Sequence, residues 1–178
     1  MSSSATYHVA KAAFEDQTLD NLNLKVTVGH LDRKALAKLS RLDLEAEDFD
    51  PDTLNPIIEA VLRGAPTLSI DRFSVGSGKD EVQLTAKAAL QAGANVDWST
   101  LMLNPAALMS LLTVEAHAEG EARAIEALAG DLALDEADVG LMLQAAQEQG
   151  ILVEKGSRLV TDVQLDQTGI TVNGVPMQ

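Results

Sequence analysis

LNLKVTVGHLDRKALAKL, residues 22–39, decides the fold. In its first half Leu22, Leu24, Val26 and Val28 alternate with Asn23, Lys25 and Thr27, the period of a strand with one apolar face. Its second half, from Leu31, reads as a short apolar helix opened by Asp32 at the cap. The join recurs twice. Val82, Leu84, Ala86 and Ala88 alternate, and NPAALMSLL follows at 104–112; Leu112, Val114, Ala116 and Ala118 alternate, and EARAIEALAG follows at 121–130. Strands with one apolar face need helices to cover it, so the pattern specifies a layered scaffold.

The rest of the chain extends this scheme. Residues 5–14 read as a weak strand, and the acidic segment 43–52 leads into a helix over 53–63 with its stripe at Leu54, Ile57, Ile58, Val61 and Leu62. Gly64 and Pro66 end that helix. Strands 67–75 and 80–90 flank Gly76-Ser77-Gly78, a hairpin signal, and a change of phase places a bulge at Asp71-Arg72. Asn104 caps a helix to about Leu111, then come strand 112–119 and helix 121–129. Asp135 caps helix 136–149, whose stripe is Val139, Met142, Leu143 and Ala146. The tail is a meander of 151–155, 158–165 and 170–172 ending at Asn173-Gly174. Tight turns between consecutive strands make the sheet mainly antiparallel. The class is α+β: one domain over 1–178, a curved antiparallel sheet with short helices on one face. Leu24, Val26, Leu84, Ala86 and Val163 are expected to share a core under helix 53–63, so Val26→Asp should be costly and Thr27→Asp mild.

Composition narrows the function. Apolar residues make up 46% of 178 and aromatics only 3%, so aliphatic side chains must fill the core. The net charge of -14 and the lack of any Lys/Arg block argue against nucleic acid, whose affinity rests on neutralised phosphates. Without cysteine there is no disulfide, thiolate metal site or cysteine nucleophile. No apolar run approaches the ~20 residues of a membrane span. The start, MSSSATYHVAKAAFED, has neither the basic nor the apolar region of a signal peptide, and reads as a cut edge with a targeting segment upstream.

No site emerges. His8, His30 and His117 lack ligand spacing and read as solvated strand residues, although His8 and His30 could meet across a hairpin. Asp48, Asp50, Asp52 and Glu59 fall at the first, third, fifth and twelfth positions of a calcium loop, but Thr53 stands where that loop needs glycine. Asp50 or Asp52 is the expected helix cap instead. Gly76-Ser77-Gly78-Lys79 lacks the first glycine and the final hydroxyl of a phosphate loop and runs into a strand. There is no G-x-S-x-G elbow and no S-x-x-K. The expectation is no catalytic, cofactor or metal residue, and no enzyme.

Four segments in order resemble the YdgA-like family of bacterial envelope proteins, a domain of unknown function, in its C-terminal half. They are LKVTVGHLDRKALAKL at 24–39, LNPIIEAVLRGAPTLSIDRFSV at 54–75, VQLTAKAAL at 82–90 and ILVEKGSRLVTDVQLDQTGITVNGVPM at 151–177. The resemblance implies a periplasmic body anchored to the inner membrane by a segment outside this chain, with no catalytic residues to carry over. A non-enzymatic envelope scaffold is the first expectation. Its partner would be a second copy or another envelope protein, paired at strand 5–14 and blocked by Val9→Pro. The alternative is a carrier of lipid or another apolar ligand in a groove between sheet and helices.

Overall fold

The structure is a computed structural model that describes residues 1–14, 17–42, 51–76, 81–91, 110–131 and 136–177. Its strands are β1 (Ser3–Phe14), β2 (Gln17–Gly29), β3 (Thr67–Val75), β4 (Val82–Leu90), β5 (Leu112–Gly120), β6 (Val153–Lys155), β7 (Arg158–Asp166), β8 (Gly169–Val172) and β9 (Val175–Pro176). They form one open sheet in the order β1-β2-β3-β4-β5-β7-β8-β9, with β6 beside the start of β7. Every pairing is antiparallel. The helices are α1 (Arg33–Leu39), α2 (Asn55–Arg63), α3 (Ala122–Asp131) and α4 (Glu136–Glu148), which makes the chain α+β.

Alternation sorts the sheet into two faces. Tyr7, Leu24, Phe73, Leu84 and Ala118 form one cross-strand row, and Val26, Ile70, Ala86, Ala116 and Val163 form the next on the same side. The opposite side carries Thr27, Ser69, Lys87, Glu115 and Gln164. The bulge falls where the change of phase put it: Asp71 and Arg72 have no partner in the β3–β4 ladder, and Phe73 resumes the apolar row.

The helices cover the apolar side unevenly. Asp32 caps α1 by accepting from the N–H groups of Lys34 and Ala35, both at 2.8 Å. The cap expected of Asp50 or Asp52 does not open α2. A 3-10 turn, Pro51–Leu54, leads into it, and Leu54 at the cap position makes no side-chain bond. Pro56 in the first turn has no N–H to satisfy, so a cap there matters less. Helix α2 packs chiefly on α1, around the buried Ala35 and Ile57, rather than across the centre of the sheet. The five residues expected beneath it do share a face, but each is only half-buried. Helix α3 reaches β2. A Cβ on Gly120 would lie 3.1 Å from Val82 Cγ2 and 3.3 Å from Ile125 Cγ1, so this glycine lets α3 sit close.

Two further expectations change. Met142 is 70% exposed while Val139 is buried and Leu143 and Ala146 are half-buried, so Met142 falls outside the covered side of α4. The strand expected over 151–155 starts at Val153, since the N–H groups of Ile151 and Leu152 bond the Ala146 carbonyl at the end of α4. The helix expected at 104–111 lies, apart from a turn at Ser110 and Leu111, outside the described residues.

Three mutational outcomes follow. Val26→Asp places a carboxylate on a half-buried apolar face and should cost about 1–3 kcal/mol in chemical denaturation. Thr27→Asp should not be mild as expected from alternation alone, because the Thr27 hydroxyl donates to Asp71 Oδ2 at 2.6 Å and a carboxylate there would face another. Thr161 Oγ1 is a buried hydroxyl without a partner, so Thr161→Val should raise stability by about 1 kcal/mol.

Candidate functional site

The polar face holds two networks. In the first, His8 Nδ1 meets Asn23 Oδ1 at 2.7 Å, and Asn23 donates to Ser74 Oγ at 3.4 Å. Arg72 reaches the same hydroxyl at 3.3 Å and Glu81 at 2.7 Å, and Gln83 donates to Glu81 at 2.6 Å. Ser74 is 0% exposed. Burial pushes the Glu81 carboxyl up, and the donors Ser74, Arg72 and Gln83 together outweigh it, leaving the group below its ordinary range. The bulge makes this possible, since it turns Arg72 back over Ser74.

The second network centres on Asp162. His117 Nδ1 stands 2.6 Å from Asp162 Oδ1 and Lys155 Nζ 3.4 Å from Oδ2. The His117 bond, then Lys155, hold the Asp162 carboxyl below its usual range against a smaller effect of burial. Glu119 lies 3.9 Å from His117 and pairs with Arg158. Between the rows runs a trough of about 430 Å³ floored by Ile70, Ala86, Ala116 and Val163. Two of its acids are paired, Asp71 with Lys25 at 3.4 Å and Asp162 with His117, while Lys87 and Glu115 stand opposite each other in register. Thr85 is opposite His117 in register.

The histidines are not brought together. His8 sits opposite Asn23, His30 lies seven residues further along beyond β2 with φ 57, and His117 is on β5. Neither His8 nor His117 is simply solvated, since each holds a side-chain partner. Among the described residues no group of three or more His, Asp or Glu side chains stands ready for a metal. Asp48 and Asp50 lie outside the described residues, and Glu59 is spent on Arg63 at 3.7 Å. The glycine turn joins the β3–β4 hairpin as read, with residues 77–80 outside the described set.

The sheet's two ends differ sharply. β9 is two residues long and contains Pro176, both ordinary defences of an edge. β1 runs for 12 residues without proline, pairs β2 without a register shift, and is exposed at every residue from 1 to 11. Tyr7 is 59% exposed.

Which backbone groups of β1 are free follows from the ladder. Leu90 N–H donates to the Pro66 carbonyl at 3.3 Å. Antiparallel alternation then turns Leu68 toward β4 and Ser69 toward β2. Ser69 is opposite Thr27, so Thr27 faces β3 and its neighbours Val26 and Val28 face β1. Their partners Ala5 and Ser3, with Tyr7 and Val9, therefore bond inward. Ser4, Thr6 and His8 present their N–H and C=O to solvent. The phase changes at the Ala10–Asn21 position, absent from the ladder, where Asn21 takes φ 51. Beyond it Asp20 accepts from Gly76 N–H at 2.9 Å, so Asp20 faces β3 and Lys11 opposite it points outward.

Over residues 1–178 the chain matches the family DUF945, described as bacterial protein of unknown function, and it belongs to that family. Neither a curated protein nor a solved structure matches it.

The Asp162 network makes stability depend on pH. A carboxyl with a lowered folded pKa stabilises fully above its unfolded value of about 3.9, and that contribution is lost as pH falls through the lower folded value. Asp162→Asn should therefore reduce stability at neutral pH and flatten the acid limb of a denaturation-midpoint profile below about pH 4.

Proposed function

We propose that this DUF945 chain is a non-enzymatic interaction module of the bacterial cell envelope, which uses the β1 edge to take an extended strand from a protein partner. The observation that supports it is the contrast between the two ends of the sheet. A 12-residue strand with outward N–H and C=O groups is a template for strand addition, whereas β9 is blunted. Residues 1–14 contain no Asp or Glu and one Lys, so the edge is free of the acidity of the whole chain. The envelope setting, with a periplasmic body held at the inner membrane, rests on the YdgA-like resemblance of the segments at 24–39, 54–75, 82–90 and 151–177.

A second reading, an apolar-ligand carrier, draws on one observation. Leu68 is 51% exposed, and beside it Val28, Pro66, Leu90 and Leu112 line a pocket of about 180 Å³. Ligand sites are usually about 300–1,000 Å³. The pocket falls short of that, which favours the edge.

Native mass spectrometry of protein purified from cells tests the two. Protein-only assemblies without acyl chains are expected, and Thr6→Pro should abolish them while leaving the melting temperature nearly unchanged, because the Thr6 N–H points outward. Val9→Pro is the wrong block, since Val9 bonds inward and its loss would open the hairpin itself. A strict monomer carrying acyl chains would overturn the edge reading in favour of the carrier.

A further inference from the structure

We infer that the strand taken up by β1 is β1 of a second copy, paired antiparallel about a two-fold axis through Thr6; this rests on the edge reading above. In an antiparallel ladder two residues exchange both backbone bonds only when both face the partner. On β1 the outward residues before the phase change are Ser4, Thr6 and His8, evenly spaced about Thr6. A two-fold axis at Thr6 pairs Thr6 with its own copy and Ser4 with His8 of the other chain, so that all three contribute and six hydrogen bonds form. An axis at Ala5 or Tyr7 leaves one of the three unmatched. An axis at Val9 or beyond runs into the phase change at Ala10. The strand is thus self-complementary in one register.

The side chains agree with that register. On the apolar side Tyr7 falls opposite Ala5 of the other copy, an aromatic ring over a methyl group, with Val9 opposite Ser3. Tyr7 and Val9 are both exposed in the single chain. On the polar side Ser4 meets His8. Lys11 falls beside Met1 of the other copy, whose ammonium is drawn onto the Leu31 carbonyl at 3.0 Å, and far from the other Lys11. Isologous contact also closes, so the assembly stops at two copies instead of growing into a fibre, because the other end of each sheet is the short β9.

The chain contains no cysteine, so each engineered thiol is the only one present. In the Thr6-centred register the two Thr6 Cα atoms lie about 5.5 Å apart, within the span of a disulfide, whereas Ala5 to Ala5 and Tyr7 to Tyr7 distances are about 8 Å, beyond it. Thr6→Cys should therefore form a disulfide-linked dimer under mild oxidation. Ala5→Cys alone and Tyr7→Cys alone should not, but an equal mixture of the two should give the mixed dimer. Sedimentation of the unmodified chain over a range of concentrations should show a monomer–dimer equilibrium that Thr6→Pro abolishes. Cross-linking of Ala5→Cys or Tyr7→Cys with itself would overturn the register. A dimer that none of these thiols traps would place self-association elsewhere. A monomer at every concentration would overturn the second-copy inference; the edge reading would then still stand if Thr6→Pro removed a different protein from the assemblies recovered from cells.

Discussion

Backbone pairing in a single open sheet is the constraint on which the molecule depends. Each strand from β2 to β8 has its main-chain groups drawn into ladders, and the helices sit on that surface without adding a second sheet. An open sheet has two ends, and each must be satisfied by water, by a defence or by a partner. Here one end is closed down by length and proline. The other is the longest continuous exposed stretch among the described residues. Asn173 and Gly174, at φ 50 and 78, make the tight turn between β8 and β9. The β1–β2 hairpin, by contrast, runs past the end of β3 as a two-stranded arm.

The same ladder organises the charges. Side chains that meet on the polar face come from distant parts of the sequence: His8 with Asn23, Arg72 with Glu81, His117 with Asp162. Because these pairs are exposed or half-exposed, they contribute modestly to stability. Asn173 acts differently. Its amide donates to the carbonyls of Gly150 and Ile151 at 2.8 and 2.9 Å while its oxygen accepts from Asp162 N–H at 2.9 Å. One side chain thereby fixes the β8–β9 turn, the end of α4 and the middle of β7.

Much of this was legible in the sequence where the signal is local. Alternation located β4 and β5 to within a residue or two and β2 only from Leu22 onward, five residues after its start at Gln17; Asp32 marked the start of α1, and the phase change between Ile70 and Phe73 marked the bulge. What requires register was hidden. The polar character of Thr27 says that it faces away from the apolar side, but not that it faces Asp71. The stripe on α4 includes Met142 by spacing, yet the fold leaves that side chain in water. The placement of α2 failed for a similar reason. Its apolar face is plain, but sequence does not say whether it will be spent on the sheet or on α1. The edge was readable as a strand without defences. Which of its residues point outward was not, because that depends on a carbonyl at Pro66, at the start of β3 two strands away, and this is why Val9 rather than Thr6 looked like the residue to block.

An acidic chain with a bare edge might be taken as a contradiction, since a net charge of -14 repels a second copy. Range resolves it. At physiological ionic strength the Debye length is about 8 Å, so carboxylates elsewhere on the sheet act weakly on two β1 strands in contact. What counts is the charge within that distance, and residues 1–14 supply no carboxylate. Most other faces of the chain carry acids, so approaches in other orientations meet like charge at short range. In the proposed dimer the acidity would leave the β1 edge as a weakly repelled line of contact, and the hydrogen-bond phase would select one alignment along it. Stability of the contact and its specificity come from different sources, the backbone for the first and the distribution of charge for the second.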